Sequence, residues 1–273
     1  MTFETIDLSP RIGTEIRVAV ADLLSGEPAG QIREVLEQRG LVLFRQLHLD
    51  DRQQVAFART LGDVIDQGVD NIYKVTLDKR VTATADYLLG TFLWHLDGTT
   101  DEVPSRCSLL SARHLSEKGG QTEWANTYAA YEGLAPEQKV ALEHLRVAHS
   151  AEAIERAARP DFTEADVANW RTRPTRSHPL VWTHQSGRKS LVLGATASHV
   201  EGMDPEESRA LLDRLLAWTT QPQFVYHHDW QLGDLVIWDN TGTVHRVIPY
   251  SVDSGRLMHR TTLVGEEPLC GSV

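Results

Sequence analysis

Two short polar segments, far apart in the chain, place the strongest constraint on how it can fold. The first contains His95 and Asp97 in a Trp-His-Leu-Asp run, and the second contains His245. If residues 92–97 are extended, side chains at i and i+2 point to the same face, so His95 and Asp97 can bind one metal ion. For His245 to complete the set, the fold must bring two distant strands to one small cavity.

A set of two histidines and one carboxylate is typical of non-haem Fe(II) oxygenases. It occupies one face of the metal and leaves the opposite face open for an oxidant and a cosubstrate. The His-x-Asp pattern is weak when it stands alone, because chance and buried, hydrogen-bonded histidines account for most such tripeptides. The metal interpretation therefore needs support from elsewhere in the chain.

Two arginines near the C-terminal end provide that support. A strand over residues 256–264 would place Arg256, Met258 and Arg260 on one face. Guanidinium groups stay charged and need anionic partners when they lie on an otherwise apolar strand. A bound dicarboxylate would satisfy both arginines, and a salt bridge to a buried carboxylate is the alternative for Arg256.

The composition limits the organisation and the partners of the chain. Its 273 residues are 41% hydrophobic and contain no linker or repeat, which indicates one domain over residues 1–273. The net charge of -11 argues against binding to nucleic acid or to an anionic membrane. The acidic N-terminus lacks an apolar run, and the two cysteines, Cys107 and Cys270, fit a reducing compartment. We expect a cytoplasmic protein that binds a small molecule, and base rates favour a homo-oligomer.

The pattern of apolar residues predicts a mainly β fold with flanking helices. Helices are predicted over residues 28–40, 51–61, 134–145 and 205–219, with a helical insertion or lid around residues 150–177. Strands are predicted over residues 41–44, 73–77, 91–97, 105–115, 122–126, 191–193, 224–229, 234–238, 243–247 and 256–264. Short strands separated by turns are typical of an antiparallel β core. We expect a double-stranded β-helix, or jelly roll, and a β-sandwich without a site is the alternative.

Seven ordered motifs give the chain a resemblance to a known family. They are Pro-Arg-Ile-Gly at 10–13, Val-Leu-Phe-Arg at 42–45, Trp-His-Leu-Asp-Gly at 94–98, Gly-Gly-Gln-Thr-Glu-Trp-Ala-Asn at 119–126, His-Pro-Leu-Val at 178–181, Gly-Asp-Leu-Val-Ile-Trp-Asp-Asn at 233–240 and Arg-Leu-Met-His-Arg at 256–260. Over nearly its full length the chain resembles the Fe(II)/2-oxoglutarate-dependent taurine dioxygenase and dichlorophenoxyacetate dioxygenase family.

The resemblance implies an activity and two sets of site residues. The activity couples oxidative decarboxylation of 2-oxoglutarate by O2, to succinate and CO2, to substrate hydroxylation, with or without release of a fragment at a C–O, C–S or C–N bond. The implied Fe(II) ligands are His95, Asp97 and His245. The implied 2-oxoglutarate residues are Thr122, Arg256, Arg260 and Trp238. Arg260 also resembles the family arginine near the metal-bound carboxylate, which can meet an acidic substrate.

Departures from the taurine enzymes argue against taurine as the substrate. Residues 66–68 contain no histidine where those enzymes have one that binds the sulfonate, and Thr91 replaces an amide before the metal motif. Residues 195–197 lack their pocket phenylalanine. With Tyr73, Phe92 and Leu93 nearby in sequence, we expect a larger, more apolar substrate whose acidic group meets Arg260.

Other interpretations of these residues stay open. A metal-dependent hydrolase would leave Arg256 and Thr122 unexplained, and a non-catalytic metal- or ligand-binding jelly roll is a further alternative. Asp239 and Asn240 form either a plain turn or support for the metal ligands. Among the remaining histidines, His178 is expected to cap a turn. The expected strand-surface histidines are His227, His228 and His259.

Overall fold

Short strands and helices alternate along residues 3–82 and 85–269, the part of the chain that the computed structural model describes. The strands are β1 (Glu4–Asp7), β2 (Thr14–Arg17), β3 (Leu41–Phe44), β4 (Tyr73–Val75), β5 (Cys107–His114), β6 (Thr122–Asn126), β7 (Arg146–His149), β8 (Arg176–Pro179), β9 (Val181–Thr183), β10 (Lys189–Leu191), β11 (Ala197–Val200), β12 (Val225–His228), β13 (Leu235–Asp239), β14 (Thr243–Val247) and β15 (Leu257–Thr262). The α-helices are α1 (Val20–Ser25), α2 (Ala29–Arg39), α3 (Asp51–Leu61), α4 (Thr127–Glu132), α5 (Pro136–Leu142), α6 (Ala151–Ala158), α7 (Glu164–Trp170) and α8 (Pro205–Thr219).

A seven-stranded sheet and a three-stranded sheet lie face to face at the centre of the molecule. The large sheet has the order β1-β2-β3-β13-β5-β15-β4, and the small one has the order β12-β6-β14. Trp124 of β6, Trp238 of β13 and Met258 of β15 pack together and are almost completely buried. The predicted mainly β fold with flanking helices is confirmed, and two packed sheets are the arrangement expected of a jelly roll.

Two helices cover the outer face of the large sheet. Ile32 and Leu36 of α2 and Phe57 of α3 are buried in one cluster with Phe44 of β3 and Ile237 of β13. Each such large side chain contributes about 1.5–3 kcal/mol when it leaves water. This packing makes the large sheet the rigid wall on which one side of the site is built.

Local capping explains why several helix boundaries were predictable. The Asp50 side chain accepts a hydrogen bond from the Gln53 backbone, and the Gln53 side chain accepts one from the Asp50 backbone, so α3 begins at a capping box. Asp204 caps α8 in front of Pro205. Gly40 ends α2 with a φ of 72°, in the left-handed region. The predictions 51–61 and 205–219 are confirmed, and 28–40 is one residue longer at each end than α2.

Other segments differ from the prediction. Residues 134–145 contain the shorter helix α5, which Pro136 begins. The helix α4 was not predicted; it begins where the Asn126 side chain accepts a hydrogen bond from the Ala129 backbone. The strand β7 was also missed, because its four residues carry too short a pattern to stand out.

The segment around residues 150–177 is largely helical. It contains α6 and α7, and Ile154 and Glu155 of α6 line the central cavity. That the segment acts as a lid stays a prediction. Within the described residues, no helix has the length and apolar character required to cross a bilayer.

Candidate active site

Two histidines and an aspartate converge in the cavity between the two central sheets. One ligand atom from each of His95, Asp97 and His245 lies within 4.8 Å of the others. The Nε2 atom of His95 is 3.6 Å from Oδ1 of Asp97, and Nε2 of His245 is 3.9 Å from Oδ2 of Asp97. Two nitrogen donors and one carboxylate at this spacing form a donor set that suits a divalent transition metal.

The segment that carries His95 and Asp97 is not a strand, so the prediction of a strand over residues 91–97 is wrong. A 3-10 helix occupies Ala85–Phe92, and the chain then makes an isolated antiparallel bridge between His95 and His245. The His95 N–H donates to the His245 carbonyl at 3.0 Å, and the reverse bond is 2.8 Å long. The backbone pairing that brings the two histidines together therefore lasts for one residue pair only.

Gly194 permits a second backbone to approach this segment closely. A Cβ atom on Gly194 would lie 3.0 Å from Cα of His95 and from the Trp94 carbonyl oxygen, and its φ of 120° disfavours other residues. The Ala195 N–H then donates to the Trp94 carbonyl at 2.8 Å. The segment is thus held on one side by two hydrogen bonds with His245 and on the other by one from Ala195.

Hydrogen bonding at His95 and burial at His245 suit the two rings to the role of metal ligands. Nδ1 of His95 lies 2.8 Å from the Leu93 carbonyl, so it carries the proton and leaves the lone pair on Nε2. Burial, together with repulsion from His95, lowers the pKa of His245 to about 3. At neutral pH the His245 ring is therefore uncharged and can offer a nitrogen lone pair to a metal.

The charge on Asp97 is supported by its surroundings. Burial alone would raise the pKa of Asp97, but attraction from His245, Arg260 and His95 outweighs it and leaves that pKa below its usual value. Of these three neighbours, Arg260 carries a permanent positive charge. Its Nη1 atom lies 3.7 Å from Oδ2 of Asp97.

Arg256 is a buried charge that has no anionic partner among the described residues. It is 2% exposed, and its Nε and Nη2 atoms have no hydrogen-bond partner among the described residues. Its guanidinium lies 4.8 Å from the centre of the Tyr250 ring. A Cβ atom on Gly120 would come within 2.9 Å of Arg256 Nε, so only glycine leaves room for this side chain. A buried arginine in this state calls for an anionic ligand.

The strand that carries the two arginines is shorter than predicted. It runs over Leu257–Thr262, and an irregularity in its pairing with β5 lies between Leu257 and Met258. Arg256 therefore precedes the regular strand. Arg260 lies within it and lines the cavity.

Thr122 has a hydrogen-bond donor that the sequence did not reveal. Nε1 of Trp230 donates to Oγ1 of Thr122 at 3.0 Å, and both side chains are buried. The Thr122 hydroxyl proton stays available for an acceptor in the cavity, which Thr122 lines. Trp238 lines the cavity as well, with its ring centre 5.0 Å from that of His245. No motif or spacing pointed to Trp230.

The cavity beside the metal cluster has a volume of about 270 Å³ and a mainly apolar wall. Its polar lining residues outside the metal and cosubstrate sets include Gln67, Thr91 and Asp101. Arg256 is not among the lining residues. The apolar and aromatic wall is formed by Ile65, Tyr73, Val75, Leu88, Leu110, Ile154 and Val247.

The residues that line the cavity differ in part from those expected for the substrate pocket. Tyr73 lines it as expected, and its ring centre lies 5.0 Å from the Arg260 guanidinium carbon. Phe92 and Leu93 instead line a separate surface cleft, because the 3-10 helix turns them away from the strand geometry that was predicted.

Three interpretations of other histidines are wrong. His228 is fully buried, with Nε2 3.2 Å from the Asp234 carboxylate. His259 is 8% exposed, with Nδ1 2.7 Å from Asp51. His178 is a buried strand residue whose Nε2 contacts the Thr99 carbonyl, so it does not cap a turn. The surface position predicted for His227 is confirmed, since its side chain is 44% exposed.

The Asp239 carboxylate forms its hydrogen bonds with Thr241 of its own turn and with Tyr128 of α4. Its Oδ1 accepts bonds from the backbone and hydroxyl of Thr241, and its Oδ2 accepts one from the Tyr128 hydroxyl. Of the two interpretations of this residue, these bonds favour the plain turn. Burial raises the pKa of Asp239.

Comparisons with known proteins agree with this architecture. The profile of the family described as taurine catabolism dioxygenase TauD, TfdA family matches residues 4–262. An alpha-ketoglutarate-dependent 2,4-dichlorophenoxyacetate dioxygenase from Burkholderia sp. (strain RASC) is 37% identical over 273 residues, which cover 93% of this chain and 91% of that protein. An alkylsulfatase from Acinetobacter baylyi is 30% identical and covers 95% of this chain and 84% of its own length.

A solved structure extends the agreement to three dimensions. A crystal structure of AAD-2 in complex with Mn(II) and N-oxalylglycine superimposes with a TM-score of 0.84 at 31% identity, covering 98% of this chain and all of the other. Sequence and fold thus match over almost the whole length. The chain belongs to the taurine catabolism dioxygenase TauD, TfdA family.

Proposed function

We propose that this chain is an Fe(II)- and 2-oxoglutarate-dependent dioxygenase, in which His95, Asp97 and His245 bind the iron. Arg256 and Thr122 bind the distal carboxylate of 2-oxoglutarate. The proposal is carried by one observation. A donor set whose ligand atoms lie within 4.8 Å of one another occurs together with a buried arginine, Arg256, which immediately precedes the strand that carries Arg260 into the cavity and has no anionic partner among the described residues.

The side chains of the site have separate tasks. Nε2 of His95, the neutral ring of His245 and the ionised carboxylate of Asp97 offer three lone pairs to Fe(II). Arg260 offsets the charge of Asp97 and is placed to meet a second anion in the cavity. Bound Fe(II) would supply the redox chemistry that couples O2 and decarboxylation of 2-oxoglutarate, to succinate and CO2, to hydroxylation of the substrate. The apolar wall excludes water from the reacting carbon.

The substrate is a small, rather apolar molecule with an acidic group. The apolar wall of the cavity and the charge of Arg260 support this, as do relatives named for 2,4-dichlorophenoxyacetate, for phenoxypropionate and for sulfate esters. Where the hydroxylated carbon also bears oxygen, nitrogen or sulfur, the product breaks down with release of a fragment. Succinate release measured across aryloxy acids, alkyl sulfates and sulfonates ranks these classes.

An anaerobic titration tests the reaction class. Addition of Fe(II) and 2-oxoglutarate to the metal-free protein is expected to produce a weak visible metal-to-ligand charge-transfer band. A hydrolase or a non-catalytic binding protein has no reason to form that chelate. Absence of the band at saturating Fe(II) and 2-oxoglutarate would contradict the proposal.

Three finer features belong to the same proposal. We infer a cytoplasmic location, supported by the buried free thiol of Cys107, while Cys270 lies outside the described residues. We infer a homo-oligomer from base rates, which sedimentation of the purified protein tests. We infer that α6 and α7 form a lid, supported by the position of Ile154 on the cavity wall.

A further inference from the structure

The position of Asp97 cannot be explained by strand pairing, because the only bridge in its segment ends at His95. Immediately after Asp97 the chain turns at Gly98, whose φ is 82°. A Cβ atom there would lie 2.9 Å from Cα of Pro104, so the turn is tight. Thr99, the next residue, is buried. Contacts that restrain Thr99 therefore limit the backbone positions open to Asp97, two residues before it.

His178 holds the backbone of Thr99. The Nε2 atom of this buried histidine lies 2.7 Å from the Thr99 carbonyl oxygen. A carbonyl oxygen only accepts, so Nε2 carries the proton and the ring is held in one tautomer. Burial lowers the pKa of His178, which keeps the ring neutral at pH 7. The bond therefore links strand β8 to the loop that carries Asp97.

The side chain of Thr99 is held from a second direction. Its hydroxyl donates to the Thr196 hydroxyl at 2.9 Å, and Thr196 Oγ1 lies 2.9 Å from Nδ1 of His149. The hydroxyl of Thr196 can donate to His149 Nδ1 or accept from it, according to the tautomer of the ring, and in either case the three side chains form a continuous chain of hydrogen bonds. All three residues are buried.

These contacts form a clamp around the metal-ligand segment. The loop that contains Thr196 also contains Ala195, whose N–H donates to the Trp94 carbonyl. The Ser150 N–H in turn donates to the Thr196 carbonyl at 2.9 Å. The segment is therefore held before His95 and after Asp97 by one neighbouring loop, which is anchored to the sheet formed by β11, β7 and β8.

We infer that His178 is a positioning residue for the metal ligand Asp97, acting through Thr99, and that Thr196 completes this clamp. The inference rests on the proposed function, since it treats Asp97 as a ligand. Loss of the His178 donor leaves the buried Thr99 carbonyl without this partner and allows the loop to move. Groups that orient a metal ligand typically change metal affinity by about 10–100-fold when they are removed.

Mn(II) affinity of the metal-free protein tests the inference, measured by electron paramagnetic resonance without cosubstrate. His178→Leu is expected to raise the Kd for Mn(II) by about tenfold or more. His178→Gln places an amide donor near the same position and is expected to restore most of the affinity. His184→Leu is the control, because His184 is equally buried, at 5% exposure, and hydrogen-bonds to Ser190 and Glu267 instead.

An unchanged Kd in folded His178→Leu, or an equal rise in His184→Leu, would overturn the inference. Should His178→Leu fail to fold, Thr196→Val decides in its place. It is expected to weaken Mn(II) binding, and Thr196→Ser, which keeps the hydroxyl, is expected to restore it. Equal affinities in this pair would overturn the inference as well.

Asp97→Ala separates this inference from the proposed function. If Asp97→Ala weakens Mn(II) binding while His178→Leu does not, the positioning role is wrong and the metal site stands. If Asp97→Ala leaves the Kd unchanged, the metal site itself is wrong and the clamp has no ligand to position.

Discussion

Two polar clusters in this molecule contain similar residues. They differ in how many of their buried polar atoms have a hydrogen-bond partner. The first, which we call the metal cluster, is the proposed metal-binding set of His95, Asp97 and His245, with Arg260 beside it and Arg256 just before the strand of Arg260. The second, which we call the rear cluster, lines a separate cavity. It comprises Tyr128, His184, Asp239, Thr241 and Glu267.

Polar atoms in the rear cluster have partners within the protein. Nδ1 of His184 lies 2.6 Å from Glu267, and its Nε2 lies 2.8 Å from the Ser190 hydroxyl. Both carboxylate oxygens of Asp239 accept hydrogen bonds. In the metal cluster and beside it, Nδ1 of His245, Nε and Nη2 of Arg256 and Nε of Arg260 are buried without a partner in the described part of the chain.

The difference teaches how to separate a structural cluster from a binding site. Buried polar atoms in native proteins are almost always paired, and an unpaired atom needs an explanation such as an absent ion or ligand. Composition alone does not distinguish the two clusters, because both contain histidine and carboxylate side chains. What distinguishes them is whether each buried polar atom has a hydrogen-bond partner.

Removal of a carboxylate gives the largest expected contrast between the clusters. Asp97→Ala is expected to reduce iron-dependent succinate formation to background, because the metal loses its only carboxylate ligand. Glu267→Ala removes a carboxylate from the rear cluster and is expected to retain succinate formation. Turnover near the wild-type rate in Asp97→Ala would show that the distinction is false.

Replacement of an arginine gives the next contrast. Arg256→Lys keeps the charge but loses the planar fork, so it is expected to raise the 2-oxoglutarate requirement at least several-fold. Mn(II) affinity is expected to stay at the wild-type value. The matched control is Arg106→Lys, which changes an arginine paired with Glu266 at the rear cavity and leaves the 2-oxoglutarate requirement unchanged. An unchanged requirement in Arg256→Lys would remove its assigned role.

His149 provides a further test of the comparison. Its Nε2 atom is also buried without a described partner, although His149 does not belong to the metal cluster. Burial, with repulsion from His178, lowers its pKa from 6.5 to about 3. Between pH 3 and pH 6.5, His149 is protonated in the unfolded chain and neutral in the folded chain, so the free energy of unfolding rises with pH.

His149→Leu is therefore expected to flatten the pH dependence of the free energy of unfolding between pH 4 and pH 6. The slope should fall by up to about 1.4 kcal/mol per pH unit, the effect of one proton. Urea unfolding of the metal-free protein at several pH values measures this. An unchanged slope would show that His149 is protonated in the folded protein.

Tyr128→Phe is expected to give the smallest functional effect. It tests whether the rear cluster is independent of the active site. It removes the hydroxyl that donates to Asp239 and is expected to lower the free energy of unfolding by about 1–2 kcal/mol. Succinate formation and the 2-oxoglutarate requirement are expected to stay at wild-type values. A change in either would connect the rear cluster to the active site.

Local chemistry explains which elements were predictable. The helices α3 and α8 begin at capping residues that act within one turn, so their boundaries follow from short segments. The segment around His95 follows no such rule, because its one backbone bridge is to His245 and its close approach is to Gly194. Those contacts come from distant parts of the chain and leave no periodic pattern.

The amino-acid sequence by itself predicted the proposed metal donor set and determined the likeness to a family of dioxygenases and the mainly β fold, because ordered motifs and alternating apolar residues carry that information. The tertiary structure alone decided that Asp97 lies outside regular strand pairing, that Trp230 donates to Thr122, and that Nε2 of His178 contacts the Thr99 carbonyl. It also decided which buried atoms lack partners. Hydrogen bonds between residues far apart in sequence depend on the packing of whole sheets, and no local pattern encodes them.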